Sequence, residues 1–270
     1  MAISKAEKAA YNDYVKEYKN EIDIVQKKIK DIEINKKKMP NIANYYNFEI
    51  VLELIKSILL YIDMSEASLE MLHIKNEGYL NNARKEIYNI LRLMEEIVGN
   101  DIDRQLKENE EHLEKISNID PPKILSIIQS IRKVNSLLIE KFGEGSKWKW
   151  SFVDVQGRIA VISKNFVNFS DIQKYRDPRS EFYQERQELL KLCKESLNTA
   201  AKEYKHRYEV STKVPGDIIK SIELLSVLRK INILFGESNE ANKLKNTIEA
   251  LKARMESEEK KKEKKKKKEK

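Results

Sequence analysis

The sequence predicts an all-α protein, an elongated bundle of about seven or eight long helices with coiled-coil seams and a disordered basic C-terminal tail. Three observations carry this. Only seven glycines and five prolines occur in 270 residues, where average usage would supply about 19 glycines. Nearly all of them fall where one apolar run of helical spacing stops and another starts. Charged residues make up 36% of the chain, against roughly 25% in a typical globular protein, as long solvated helix faces require.

The first helix starts at a capping box, Ser4 with Glu7, in which hydroxyl and carboxylate satisfy backbone N–H groups. Tyr11, Val15, Tyr18, Ile22, Val25, Ile29 and Ile32 alternate by four and three, the spacing of a coiled-coil seam, until Met39 and Pro40 end the run. From Asn41 a second helix is apolar on much of its circumference (Phe48, Val51, Leu54, Ile58, Ile62), and is expected to be the most buried. Gly78 is read as its interruption. Leu80, Ile87, Leu91, Met94 and Val98 resume the period, and Gly99 supplies a C-cap. Asp101 is expected to cap a short charged helix reaching about Ser117.

Asp120 with Pro121 and Pro122 reads as an N-cap followed by proline in the first turn, where the missing N–H costs little. That helix ends at Gly143. Trp148, Phe152, Val155, Ile159, Ile162, Phe166 and Phe169 keep the helical spacing, while the alternation over 153–161 also fits a short hairpin; the longer pattern favours helix. Asp177 and Pro178 are read as the start of a helix through Leu189, Cys193, Leu197 and Tyr208. The next runs from Ile218 to Phe235. Ser238 caps the last, with Ala241, Leu244, Ile248, Leu251 and Met255 in heptad register. These elements group as 1–145, an N-terminal bundle, 146–237, a region holding an aromatic and arginine-rich segment, and 238–270, a coiled-coil helix running into the tail. No repeat of fixed period supports a solenoid.

Charge and composition narrow the function. The formal charge is +8, and residues 256–270, with nine Lys and five Glu, supply half of it. A sequence pI near 9.1 therefore reports the tail, which argues against a nucleic-acid-binding core. Lys outnumbers Arg 41 to 11, a bias that AT-rich coding also produces. The N-terminus turns polar at once, with no apolar stretch of signal type, and no run approaches the roughly 20 apolar residues of a membrane span. The expectation is a cytoplasmic protein without a transmembrane segment. A single cysteine, Cys193, excludes an internal disulfide, and its place on an apolar stripe reads as a small buried hydrophobe.

Candidate chemistry is sparse. Gly143, Glu144, Gly145, Ser146 and Lys147 lack the spacing and the preceding strand of a phosphate loop. His73, His112 and His206 are far apart, and the pair Glu108 and His112 reads as a solvated face rather than half of a metal site. The paired Glu-x-x-His motifs of a di-metal bundle are missing. No catalytic residue, cofactor, metal or small-molecule substrate is therefore expected.

The segment from 148 to 186 stands out. Both tryptophans and eight of the 21 aromatics lie between 148 and 183, with four of the eleven arginines by 186. Tryptophan and arginine anchor interfaces because they bury area while keeping a polar handle. Trp148, Trp150, Arg176, Arg179, Tyr183 and Arg186 are the candidate partner-binding residues. The bland alternative is that the aromatics fill a joint between helical halves, with Arg176 and Arg179 paired to Asp177 or Glu181. A second candidate is Lys264, Lys265, Lys266, Lys267 and Lys268, a basic run that attracts polyanions through counterion release. The reading that follows is a non-enzymatic cytosolic scaffold or assembly protein binding other proteins or itself. The alternative is an RNA-associated or anionic-surface-binding accessory protein acting through the tail.

Overall fold

Ser4 starts α1 (Lys5–Lys38) with a reciprocal pair of hydrogen bonds: its Oγ accepts from the Glu7 N–H at 3.1 Å, and its own N–H donates to the Glu7 carboxylate at 2.7 Å. The structure, a computed structural model, describes residues 3–268, and the side chains of 107, 259 and 261–268 are not among those described. Tyr11, Val15, Ile22, Val25, Ile29 and Ile32 are buried along α1, which packs on α2 (Ala43–Leu72) after a 3-10 turn at Pro40–Ile42. Lys28 pairs with Glu53 and Lys56 with Glu21, so the two helices run antiparallel.

The break after α2 falls at His73, which takes a left-handed conformation (φ 56°) and returns its N–H to the Leu69 carbonyl. Gly78 instead lies in the first turn of α3 (Glu77–Val98), where its N–H donates to the Asn76 side chain. α3 packs on α2 and completes the N-terminal layer.

α5 (Pro121–Phe142) touches α2, α3, α6 and α8 and joins this layer to the second one. The second layer is α6 (Lys149–Asn165), α8 (Tyr183–Arg207), α9 (Pro215–Leu234) and α10 (Ser238–Lys268), each packed on the next. Two six-residue helices, α4 (Asn109–Glu114) and α7 (Phe169–Lys174), flank the side of the joint. Eight of these ten helices have more than six residues, and the described residues contain no strand. One apolar core runs from Val25 on α1 to Leu251 on α10, with a smaller cluster of Tyr11, Val15, Ile22, Leu60, Met64 and Ala67 under the start of α1. The accessible surface of 15564 Å² exceeds the roughly 12,000 Å² of a compact monomer of this mass, as an elongated bundle requires.

Four elements differ from the sequence reading. α6, with eleven of its 17 residues buried, is more enclosed than α2, with thirteen of 30. The cause is its position between α3 and α5 on one side and α8 on the other. The aromatic segment is helical as the longer pattern indicated, but α6 stops at Asn165. Asn168 then caps α7 by accepting from the Asp171 N–H at 2.9 Å.

The helix expected from Asp101 to Ser117 shrinks to a 3-10 turn (Leu106–Glu108) and α4. The carbonyls of Asp101, Ile102 and Arg104 face Lys164 Nζ, and that of Gly99 accepts from Asn165. Carbonyls that converge on one ammonium do not point along a common helix axis, so this stretch forms no helical ladder. Likewise α8 starts at Tyr183 rather than at Asp177. Asp177 accepts from the backbone and guanidinium of Arg179, and Phe182 is left-handed (φ 57°), which breaks the helix on its N-terminal side.

Candidate functional site

A cleft of about 490 Å³ opens where α4, α5, α7 and the start of α8 converge. The elements that failed to extend make it. Because α4 and α7 are short and α8 starts late, the intervening turns splay apart and leave the side of the joint uncovered. Ile116, Ile124, Phe166, Ile172 and Leu189 line it and are buried. Around them stand Glu110, Glu114, Asp120, Asp171 and Glu181, five carboxylates against the one guanidinium of Arg186.

The rim is only partly neutralised. Glu110 accepts from the Ser170 hydroxyl, and Asp120 faces Lys123 at 3.3 Å. Arg186 donates to the Glu181 carbonyl and lies 4.7 Å from the Tyr175 ring centre. An apolar recess whose rim is mainly of one sign concentrates the field at its mouth. Chemically, it suits an apolar group flanked by cations.

A second recess of about 320 Å³ lies between α3, α6, α8 and α9, lined by Glu95, Arg158, Tyr204 and Lys220. Its charged groups are spent within the protein. Arg158 grips Glu95 with two bonds of 2.7 and 2.8 Å. Asp154 accepts from Tyr204, Lys220 and Arg207, and Arg207 also donates to Asp217 and to the Trp150 carbonyl. Burial works against the Asp154 charge, yet Arg207 holds its carboxyl below the usual range; burial also opposes the Arg207 charge, which the two carboxylates keep firmly protonated. Gly157 lets α6 and α8 approach here, since a Cβ would sit 2.5 Å from Tyr204 Oη.

Lys164 and Cys193 are both fully buried. Burial lowers the Lys164 ammonium to about 8 and raises the Cys193 thiol to about 12. The lysine caps carbonyls, and the cysteine is free. Among the described residues no group of three His, Cys, Asp or Glu side chains is placed to hold a metal ion. No described helix is long and apolar enough to cross a membrane.

The structure divides the sequence-derived patch between the two ends of α6, about 25 Å apart along its 17 residues. Trp148 packs under Arg84, whose Cζ is 3.7 Å from the ring centre, and Trp150 lies against His206. Arg176 and Arg179 are exposed at the far end, Arg179 on Asp177. Arg186 lines the cleft, and Tyr183 is half-buried in the same turn of α8. The side chains of Lys264, Lys265, Lys266, Lys267 and Lys268 lie outside the described residues. Sequence reasoning missed the carboxylate rim, because Glu110, Asp171 and Glu181 come from three separate segments and look like ordinary solvated charges.

No curated protein matches this chain. A family model described as the TP0443 family matches residues 7–259, nearly the whole of the helical body from α1 into α10. The chain belongs to the TP0443 family.

Proposed function

We propose that the protein is a non-enzymatic helical scaffold, and that it docks protein segments in the cleft between α4, α5, α7 and α8. The observation that carries this reading is the cleft's composition: a buried aliphatic and aromatic lining inside a rim of five carboxylates. Apolar residues supply affinity when they are desolvated, and a charged rim selects the partner and speeds its encounter. Arg186, one of the interface residues expected from sequence, lies on that rim. Trp148 and Trp150, half-buried against Arg84 and His206, lie away from the cleft.

The test is a lysate pulldown with the full chain and with Ser117→Trp, an exposed cleft position where an indole fills the opening. Partners that withstand nuclease and are lost with Ser117→Trp support the reading. Partners lost to nuclease, or to removal of residues 256–270, would favour the polyanion-binding alternative. Partners unaffected by Ser117→Trp would reject the cleft.

A further inference from the structure

The end of α8 opposite the cleft carries an apolar knuckle that is exposed among the described residues. α8 ends in a π-helical turn, Tyr208–Thr212, before α9. Val210, Val214 and Ile219, respectively 58%, 52% and 42% exposed, project around it beside the exposed Lys213. The turn is held firmly: Arg207 bonds Asp217, Thr212 Oγ1 donates to Asp217 at 2.6 Å, and Lys213 is fixed in a left-handed conformation (φ 51°). A knuckle ordered before contact avoids part of the entropic cost of binding.

We infer that the knuckle at 210–219 of one copy seats in the α4–α5–α7–α8 cleft of a second copy, so that the chain assembles head to tail. This rests on the reading of the cleft as a protein-docking site. The two surfaces are complementary: three aliphatic side chains meet a recess of Ile, Leu and Phe, and Lys213, whose ammonium donates to the Glu209 carbonyl, meets a rim of five carboxylates in which Arg186 and Lys123 are the cations. They lie at opposite ends of α8, about 37 Å apart over its 25 residues. Two different patches facing each other make a heterologous contact, which closes into a ring or extends as a filament. The basic tail is a poorer occupant. Residues 256–270 contain nine lysines and no apolar side chain, so they satisfy the rim and leave the lining uncovered.

Sedimentation velocity of the full chain between about 1 and 100 µM, a range spanning ordinary weak association, tests this with two exposed-site variants, Val214→Asp on the knuckle and Ser117→Trp in the cleft. The wild type should gain mass with concentration. Each variant alone should remain monomeric, with association weakened at least about tenfold. An equimolar mixture should stop at a dimer, because Val214→Asp keeps an intact cleft and Ser117→Trp an intact knuckle. A wild type that stays monomeric, variants that assemble like the wild type, or a mixture that stays monomeric would each overturn the inference. If the wild type is monomeric while Ser117→Trp still loses nuclease-resistant partners, the occupant is wrong and the docking site stands. If those partners are retained as well, both readings fall.

Discussion

Arg207 Nε donates to Asp217 Oδ2 at 3.0 Å across the turn from α8 to α9, with both side chains more than nine-tenths buried. The same guanidinium reaches Asp154 on α6 at 2.8 Å. Replacing Arg207 by Met leaves the buried Asp217 carboxylate without a cation and takes from Asp154 one of its three partners, and should cost about 3–5 kcal/mol in urea denaturation. Asp217→Asn leaves the Asp154 pair in place and should cost roughly 1–2 kcal/mol. Equal losses for the two variants would show that Asp154 contributes nothing to the node.

Gly157→Ala should destabilise the protein by about 1–3 kcal/mol, because the new methyl group runs into the Tyr204 ring and hydroxyl. The hydroxyl is the nearest atom, so Tyr204→Phe in the same chain should cost less than the sum of the two single changes. Thermal melts of the four proteins give that coupling directly.

His73 holds φ 56° at the end of α2, a conformation that glycine adopts without a Cβ clash. His73→Gly should therefore raise stability by about 0.5–1 kcal/mol. A lowered melting temperature would mean that the imidazole contributes more than the backbone strain costs.

Alkaline pH should act through Lys164 and Cys193. Burial lowers the lysine to about 8 from 10.5, so the native chain gives up this proton before the unfolded chain does. The unfolded state binds more protons in that window, and stability should climb by about 1 kcal/mol from pH 8 to 9 on this account alone. Burial raises the thiol from 9.0 to about 12, so above pH 9 the native state keeps a proton that the unfolded chain loses, and the climb is offset. Cys193→Ala should leave the rise uncompensated, and Lys164→Met should remove it. Urea midpoints between pH 7.5 and 10 separate the two.

Sequence pattern revealed most of the helices, because the residues that decide them are local. Ser4 and Glu7 cap α1, Gly99 and Gly143 end α3 and α5, and the spacing from Tyr11 to Ile32 marks the buried face of α1. What stayed hidden depends on partners distant in the chain. Nothing near Asp101 announces that its carbonyl will meet Lys164, 63 residues later, instead of continuing a helix. Nothing near Gly157 in the sequence accounts for a glycine there, and only Tyr204 on the facing helix explains it. The arginines and tryptophans of 148–186 are neighbours in sequence, yet the straight α6 holds the tryptophans away from Arg176, Arg179 and Arg186. The cleft is the converse case, assembled from segments whose separate compositions are unremarkable.

α6 is fastened at both ends. Near its start Asp154 binds Arg207, and at its end Lys164 and Asn165 hold the backbone of 99–104. Releasing the first parts Asp154 from the buried Arg207, and releasing the second leaves several carbonyls without their donors. The helix therefore behaves as a tie rod between the two layers, and its amides should exchange with deuterium only in openings large enough to free α3, α8 and α9 together. Slow, correlated exchange along α6 would mean that the joint between the layers opens as one unit instead of fraying from either end.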